Sequence, residues 1–340
     1  MSRFLITGAG GYIGSLLVEE ALQEGHEVIA LDRFFFGEET LAEFTAHPGF
    51  SLVKKDIRDV ASADLDGVDV VMDLAALSND PSGDLNPELT TQINYQGRVH
   101  VAEAAKAAGV PRYILASSCS VYGFGESSSL CEKSPTSPLT EYARSTLEAE
   151  RNAIALADEN FCVTALRNAT VYGLSPRMRF DLVVNTMTKA AVEHGKITVT
   201  GGGNQWRPLV HARDVARAFL NVAGQPASKV SGEAFNVGRS NEQIRALAFT
   251  VRENLPFPVE IEVAGESADM RSYNVSFEKA KSVLGFEPQL SVAFAVREIY
   301  EAIKAGSVDV GERTVTVAWY RHLLQAEQLV DELRLNGRIL

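Results

Sequence analysis

The sequence is short of cysteine, with Cys119, Cys131 and Cys162 the only three in 340 residues. Thiols so few and so scattered supply neither a disulfide framework nor a zinc site, and no metal is expected. Positive charge is also scarce: 32 Lys and Arg stand against 44 Asp and Glu, a formal charge of −12. That balance argues against nucleic acid or an anionic membrane as a partner, because both reward clustered cations. It leaves room for a small anionic ligand held by a few local arginines. Long hydrophobic runs are missing too, and none reaches the ~18 residues of a membrane span. The apolar start RFLITGAGGYIGSLL is broken by glycines and lacks a cleavage-type end, so a signal peptide is not expected and the cytoplasm is the expected compartment.

What is present is rhythm. Through the first half, the short runs RFLIT, EVIALD, FSLVKKD, DVVMDLAA and RYILASS alternate with helical patterns, one over about 12–24 and one through PELTTQINYQGRVHVAEAAKAAG. Strands separated by helices predict a parallel sheet with right-handed crossovers, and apolar strand interiors predict helices on both its faces. The expectation is an α/β protein: a Rossmann-type doubly wound sheet over 1–170, then a smaller C-terminal α/β lobe over 171–340, with some chain returning to the first domain. No repeat or low-complexity linker separates the two.

In LITGAGGYIGSLL, Gly8, Gly11 and Gly14 lie between a strand and a helix. Glycines let the backbone turn tightly beside a pyrophosphate, and the helix start offers it free N–H groups. The next strand ends in Asp32, placed to accept hydrogen bonds from ribose hydroxyls. A carboxylate there repels a 2′-phosphate and favours NAD, while Arg33 beside it could partly accommodate NADP. Asp56, after LVKK, reads either as the adenine end of the site or as an ordinary strand-end carboxylate.

Ser118 follows RYILAS, at the edge where open α/β sheets place their crevice. Tyr142 falls on the next helical segment, TEYARSTLEAE. A tyrosine near its ordinary pKa of ~10 is a poor base at neutral pH. A nearby cation makes it useful, and a lysine at i+4 would share its helix face. The chain has Thr146 there.

These segments, with KDIRD, SSCSVYG, LRNATVYG, RPLVHARDVARAF, FNVG and RSYNVSFEKAKSVLGFEP, make the chain resemble the extended short-chain dehydrogenases/reductases over nearly its full length. Within them it is similar to the NAD-dependent nucleotide-sugar epimerase/dehydratase family. The resemblance implies NAD on the Gly8–Gly14 loop, with Tyr12, Ile13, Ile57, Leu74, Ala75 and Ala76 joining Asp32, Arg33 and Asp56 around it. It implies Ser118 and Tyr142 as catalytic residues, Thr146 at the third catalytic position, and a nucleotide-diphosphate sugar in the C-terminal lobe. A homodimer built through the Tyr142 helix is implied as well.

Two departures shape the expected reaction. Ser120 stands where eliminating family members carry glutamate, which moves the expectation from dehydratase to epimerase. Cys119 beside it either exchanges a proton or is a small pocket residue. Thr146 removes the lysine charge, and Arg144 at i+2 points to another face. The expected function is epimerisation through a transient keto-sugar, weakened by Thr146. A keto-sugar reductase or dehydratase of the same fold, and a non-catalytic NAD or nucleotide-sugar binding protein, are the alternatives. By resemblance Arg207 and Arg271 would grip the substrate pyrophosphate and Asn168 would contact the sugar. Arginine forks suit that anion. Arg177 and Arg179 stay open between ligand contact and surface ion pair, and His211 reads as a satisfied core histidine.

Overall fold

The structure, a computed structural model, describes residues 1–123, 129–265 and 272–338. Its main sheet holds seven parallel strands among the described residues. These are β1 (Arg3–Thr7), β2 (Glu27–Asp32), β3 (Phe50–Lys54), β4 (Val70–Asp73), β5 (Arg112–Ser118), β6 (Cys162–Asn168) and β10 (Glu233–Val237). The order β10-β6-β5-β4-β1-β2-β3 makes it doubly wound. The order reverses between β1 and β4, and a crevice opens beyond the carboxyl ends of strands at such a switch point. Strands β4 and β6 are buried along their whole length, as a sheet covered on both faces requires.

One apolar core packs the helices Gly14–Gln23 and Ala212–Gly224 on the first face, and another packs Arg98–Ala107 and Glu141–Ala155 on the second. A third core lies in the C-terminal lobe. The lobe contains a sheet of β7 (Thr170–Tyr172), β9 (Trp206–His211) and β11 (Ser240–Gln243), and a pair of β8 (Lys196–Val199) and β12 (Glu260–Val263). The chain crosses between lobes more than once, since β10 rejoins the main sheet beside β6.

The helix expected through PELTTQINYQGRVHVAEAAKAAG is not continuous. A short turn at Pro87–Thr90 passes into π-helical turns over Thr91–Gly97 and then the α-helix Arg98–Ala107. Buried Asn94 explains the widening: its Oδ1 accepts from the Leu77 amide at 2.8 Å and its Nδ2 donates to the Leu77 carbonyl at 3.1 Å. That clamp ties the helix to the loop after β4. Widened turns of this kind often border functional sites.

Candidate active site

The glycine turn comes first. Gly8 has φ +67°, and a Cβ on it would lie 2.8 Å from the Ala75 nitrogen. A Cβ on Gly14 would come within 2.0 Å of the Gly8 carbonyl oxygen. Only glycine lets this turn close against the loop after β4. The helix Gly14–Gln23 has no side chain capping its start; its Ser15 amide bonds the Gly11 carbonyl at 3.0 Å, and the positive end of the helix dipole lies at the turn.

Beyond the turn lies a cavity of about 750 Å³. Gly8, Gly11, Tyr12, Ile13, Gly14, Asp32, Arg33, Asp56, Ile57, Leu74, Ala75 and Ala76 all border it, as do Ser118, Ser120, Tyr142, Asn168 and Arg207. The structure therefore brings almost all the expected site residues together. Cys119 and Thr146 are not on its wall. Cys119 is buried behind it, its thiol bonded to the Arg167 carbonyl at 3.2 Å and held well above its usual pKa by burial. Thr146 is also buried, and its hydroxyl has no hydrogen-bond partner among the described residues. Arg271 lies outside the described residues.

At the β2 end, Asp32 accepts the Gly10 amide at 3.0 Å and the Phe34 amide at 2.7 Å. Burial raises its pKa, and those amides together with Arg177 oppose the rise. Arg33 is drawn away to Asp56 at 2.7 Å, and its guanidinium lies 4.8 Å from the Phe35 ring centre. Asp56 also holds Arg58, whose hydrogen bonds keep the Asp56 carboxyl well below the usual range. An arginine so engaged is poorly placed to meet a 2′-phosphate. Asp32→Ala is expected to weaken NAD binding roughly tenfold or more, the worth of about one charged hydrogen bond, and to narrow the gap to NADP. Titration with both cofactors checks this, and an unchanged ratio would remove Asp32 from the cofactor site.

At the β5 end, Ser118 faces Asn168 in register across β5 and β6. Tyr142 stands in the first turn of Glu141–Ala155, which Thr140 caps by accepting the Ala143 amide at 3.2 Å. Burial raises the Tyr142 pKa; hydrogen bonding with Ser118 lowers it, Asp80 raises it, and Arg98 and Arg179 lower it. Four cavity-lining residues carry buried polar atoms with no partner among the described residues: the Ser82 and Ser120 hydroxyls, the Asn168 side-chain oxygen Oδ1 and the Arg177 Nε. Such atoms cost free energy unless a polar ligand meets them.

Other lining residues were left open or not foreseen. Arg177 and Arg179, open between ligand contact and surface ion pair, are both buried and line the cavity. Arg177 lies 3.6 Å from the Phe36 ring centre, and Arg179 holds Asp181 through two bonds of 2.9 Å. The helix Thr316–Leu333 returns over the cofactor end, placing Tyr320, Leu323 and Leu324 on the wall while Trp319 Nε1 donates to the Phe35 carbonyl at 2.6 Å. Arg98 also lines the cavity. Its signal was faint but present: Arg98, Val101, Ala102 and Ala105 are spaced i, i+3, i+4, i+7 and form one buried face. His211 is a core residue, its Nε2 2.6 Å from Glu298.

A doubly wound sheet, a glycine cradle at its switch point and an acid at the end of β2 define a Rossmann-type dinucleotide-binding protein. The chain belongs to the NAD-dependent epimerase/dehydratase family, whose model matches residues 4–238. Its cofactor is NAD, which the cradle and Asp32 fit. It is 32% identical to the UDP-glucose 4-epimerase of Mycolicibacterium smegmatis, over 88% of this chain and 97% of that one. It is similar to the structure of MoeE5 in complex with UDP-glucuronic acid and NAD, with 27% identity, a TM-score of 0.78, and coverage of 89% of this chain and 99% of that one. It is also similar to DesIV, a dTDP-glucose 4,6-dehydratase from Streptomyces venezuelae solved with NAD and TYD bound, at 26% identity and a TM-score of 0.78, covering 94% of this chain and 97% of that one.

Proposed function

We propose that this protein epimerises a nucleotide-diphosphate sugar through a transient keto-sugar. The observation that carries the reading is that Ser118 and Tyr142 both line the crevice that the glycine cradle opens into. NAD, when bound, supplies the oxidising equivalent and gives it back. Tyr142, as phenolate, takes the proton of the reacting hydroxyl and later returns it to the same oxygen. Ser118 donates a hydrogen bond to that oxygen and keeps it in line. Thr146 provides no charge from the next turn of the helix, so the phenolate depends on other groups.

Epimerisation is favoured over elimination by Ser120, a neutral hydroxyl where an elimination would need an acid or base. A dehydratase is the second reading, and Asp80 is what favours it, because this carboxylate also borders the cavity. On the substrate side, Arg207 is proposed to grip the pyrophosphate and Asn168 to contact the sugar. Arg207→Ala is expected to weaken nucleotide-sugar binding by about 1.5–3 kcal/mol, the range for charged hydrogen bonds, with NAD affinity barely moved. Calorimetry showing equal losses for both ligands would place Arg207 elsewhere.

The same reading includes a homodimer packed through the Tyr142 helix, which sedimentation would report as twice the 36.9 kDa chain. Mass spectrometry of ligands released from the purified protein tests the substrate class. A co-purifying nucleotide sugar is expected, and a protein that neither carries nor binds any member of a UDP- and dTDP-sugar panel would defeat the proposal.

A further inference from the structure

We propose that the helix Thr316–Leu333 is the outer wall of the cofactor site and the latch that retains NAD: it docks on the loaded crevice and swings away before NAD leaves. The proposal concerns the cofactor alone and does not depend on which sugar reaction follows.

Val317, Tyr320, Leu323, Leu324 and Glu327 all border the cavity. Positions 317, 320, 324 and 327 are spaced i, i+3, i+7 and i+10, which is one face of an α-helix. Four of the five side chains are aliphatic or aromatic, so the helix turns a mostly apolar surface to the crevice.

Contacts at two ends fix where that face lies. Trp319 Nε1 donates to the Phe35 carbonyl at 2.6 Å, and the Tyr320 ring centre lies 6.1 Å from that of Phe35 and 5.4 Å from that of Phe36. Both phenylalanines closely follow Asp32 and border the cavity. Arg177 Nη2 donates to the Thr316 hydroxyl at 3.0 Å, and Ser175, on the same loop as Arg177, donates to the Tyr12 carbonyl of the glycine turn at 2.7 Å. On the other side the helix packs against Asp80–Gly83. A Cβ on Gly83 would lie 3.0 Å from the Tyr142 Cβ. The helix therefore spans the crevice from its Asp32 end toward its Tyr142 end.

Little else holds it. Thr316 is the one buried residue of the helix, and nothing from 316 to 333 joins the apolar cores among the described residues. The Arg313–Glu39 ion pair just before it, at 3.0 Å, is exposed, and exposed pairs contribute little. An element with so few buried contacts opens at a lower free energy than the core. The crevice is the packing partner of its apolar face. NAD filling the crevice covers that face, and the helix in turn covers NAD. By linkage, each stabilises the bound state of the other.

Two measurements test the two halves of this coupling. Amide hydrogen exchange, read by mass spectrometry on NAD-free and NAD-loaded protein, follows the helix. Peptides from 316–327 are expected to exchange about tenfold more slowly with NAD bound, within the usual range of such coupling. The release rate is measured by chasing isotopically labelled NAD from the loaded protein. Tyr320→Ala and Leu324→Ala are each expected to speed release about tenfold or more, the scale for losing a large buried apolar contact. Leu333→Ala, at the exposed end of the helix, should leave release unchanged. All three residues lie outside the cores, so the variants keep the fold. Release unchanged in both lining variants, release equally fast in Leu333→Ala, or helix exchange indifferent to NAD would each overturn the proposal.

Discussion

Tyr142→Phe is expected to lower turnover by about 10²–10⁴-fold, the contribution of a positioned acid–base group, while NAD and nucleotide-sugar binding change little. The phenyl ring keeps the packing of the helix Glu141–Ala155 and loses only the hydroxyl, in the cavity that Ser118 also lines. Because burial raises the Tyr142 pKa, the neutral phenol dominates at neutral pH. The rate should therefore climb with pH toward that pKa, and the variant should lose the climb along with the rate. Single-turnover kinetics across pH, beside calorimetry for both ligands, separate chemistry from binding. A variant that keeps its rate and its pH dependence would remove Tyr142 from the chemistry.

The second large effect is on stability. Behind Ser118 and Asn168 lies a buried pair, with Arg167 Nη2 2.6 Å from Glu150 Oε1 and Nε 3.0 Å from Oε2. Ser117 donates to Glu150 at 2.5 Å, and Arg167 reaches the Tyr122 hydroxyl at 2.9 Å. Glu150→Ala would strand the Arg167 charge in the interior and is expected to cost about 3–5 kcal/mol. Replacing both residues with apolar ones of similar size should cost much less, because no charge is left unpaired. Urea unfolding of the single and double variants checks this. Equal losses would mean that packing, and not the uncompensated charge, dominates.

The contrast between these two sites shows what the sequence makes legible. The cradle and Asp32 can be read in a line because their signals are local: a strand, a tight turn, a helix start and the end of the next strand. Ser118 and Tyr142 follow from the same strand–helix rhythm. Arg98 could not be placed that way. A charge in a helix ordinarily faces water, and only the clamp of Asn94 on Leu77 and the anchors on β4 and β5 turn it inward. Arg177 and Arg179 stayed open for the same reason, since their burial depends on Phe36 and Asp181 in the folded chain.

Cys119 was misleading in the opposite sense. It sits between two cavity-bordering serines, but the 3₁₀ turn Cys119–Tyr122 points its thiol to the Arg167 carbonyl behind the wall. Tyr320 and Trp319 were beyond reach, because their partners Phe35 and Phe36 lie nearly a whole chain length away. No local pattern records such a contact.

The central claim, oxidation and re-reduction of the same sugar carbon, is tested most directly by proton NMR in deuterated water. The NAD-loaded protein is given UDP-hexoses and dTDP-hexoses with no further cofactor added. The account predicts an epimeric pair reached from either member, with protium kept at the inverted carbon and no accumulation of reduced cofactor. Deuterium appearing in the product, or product forming only as reduced cofactor is consumed, would contradict it.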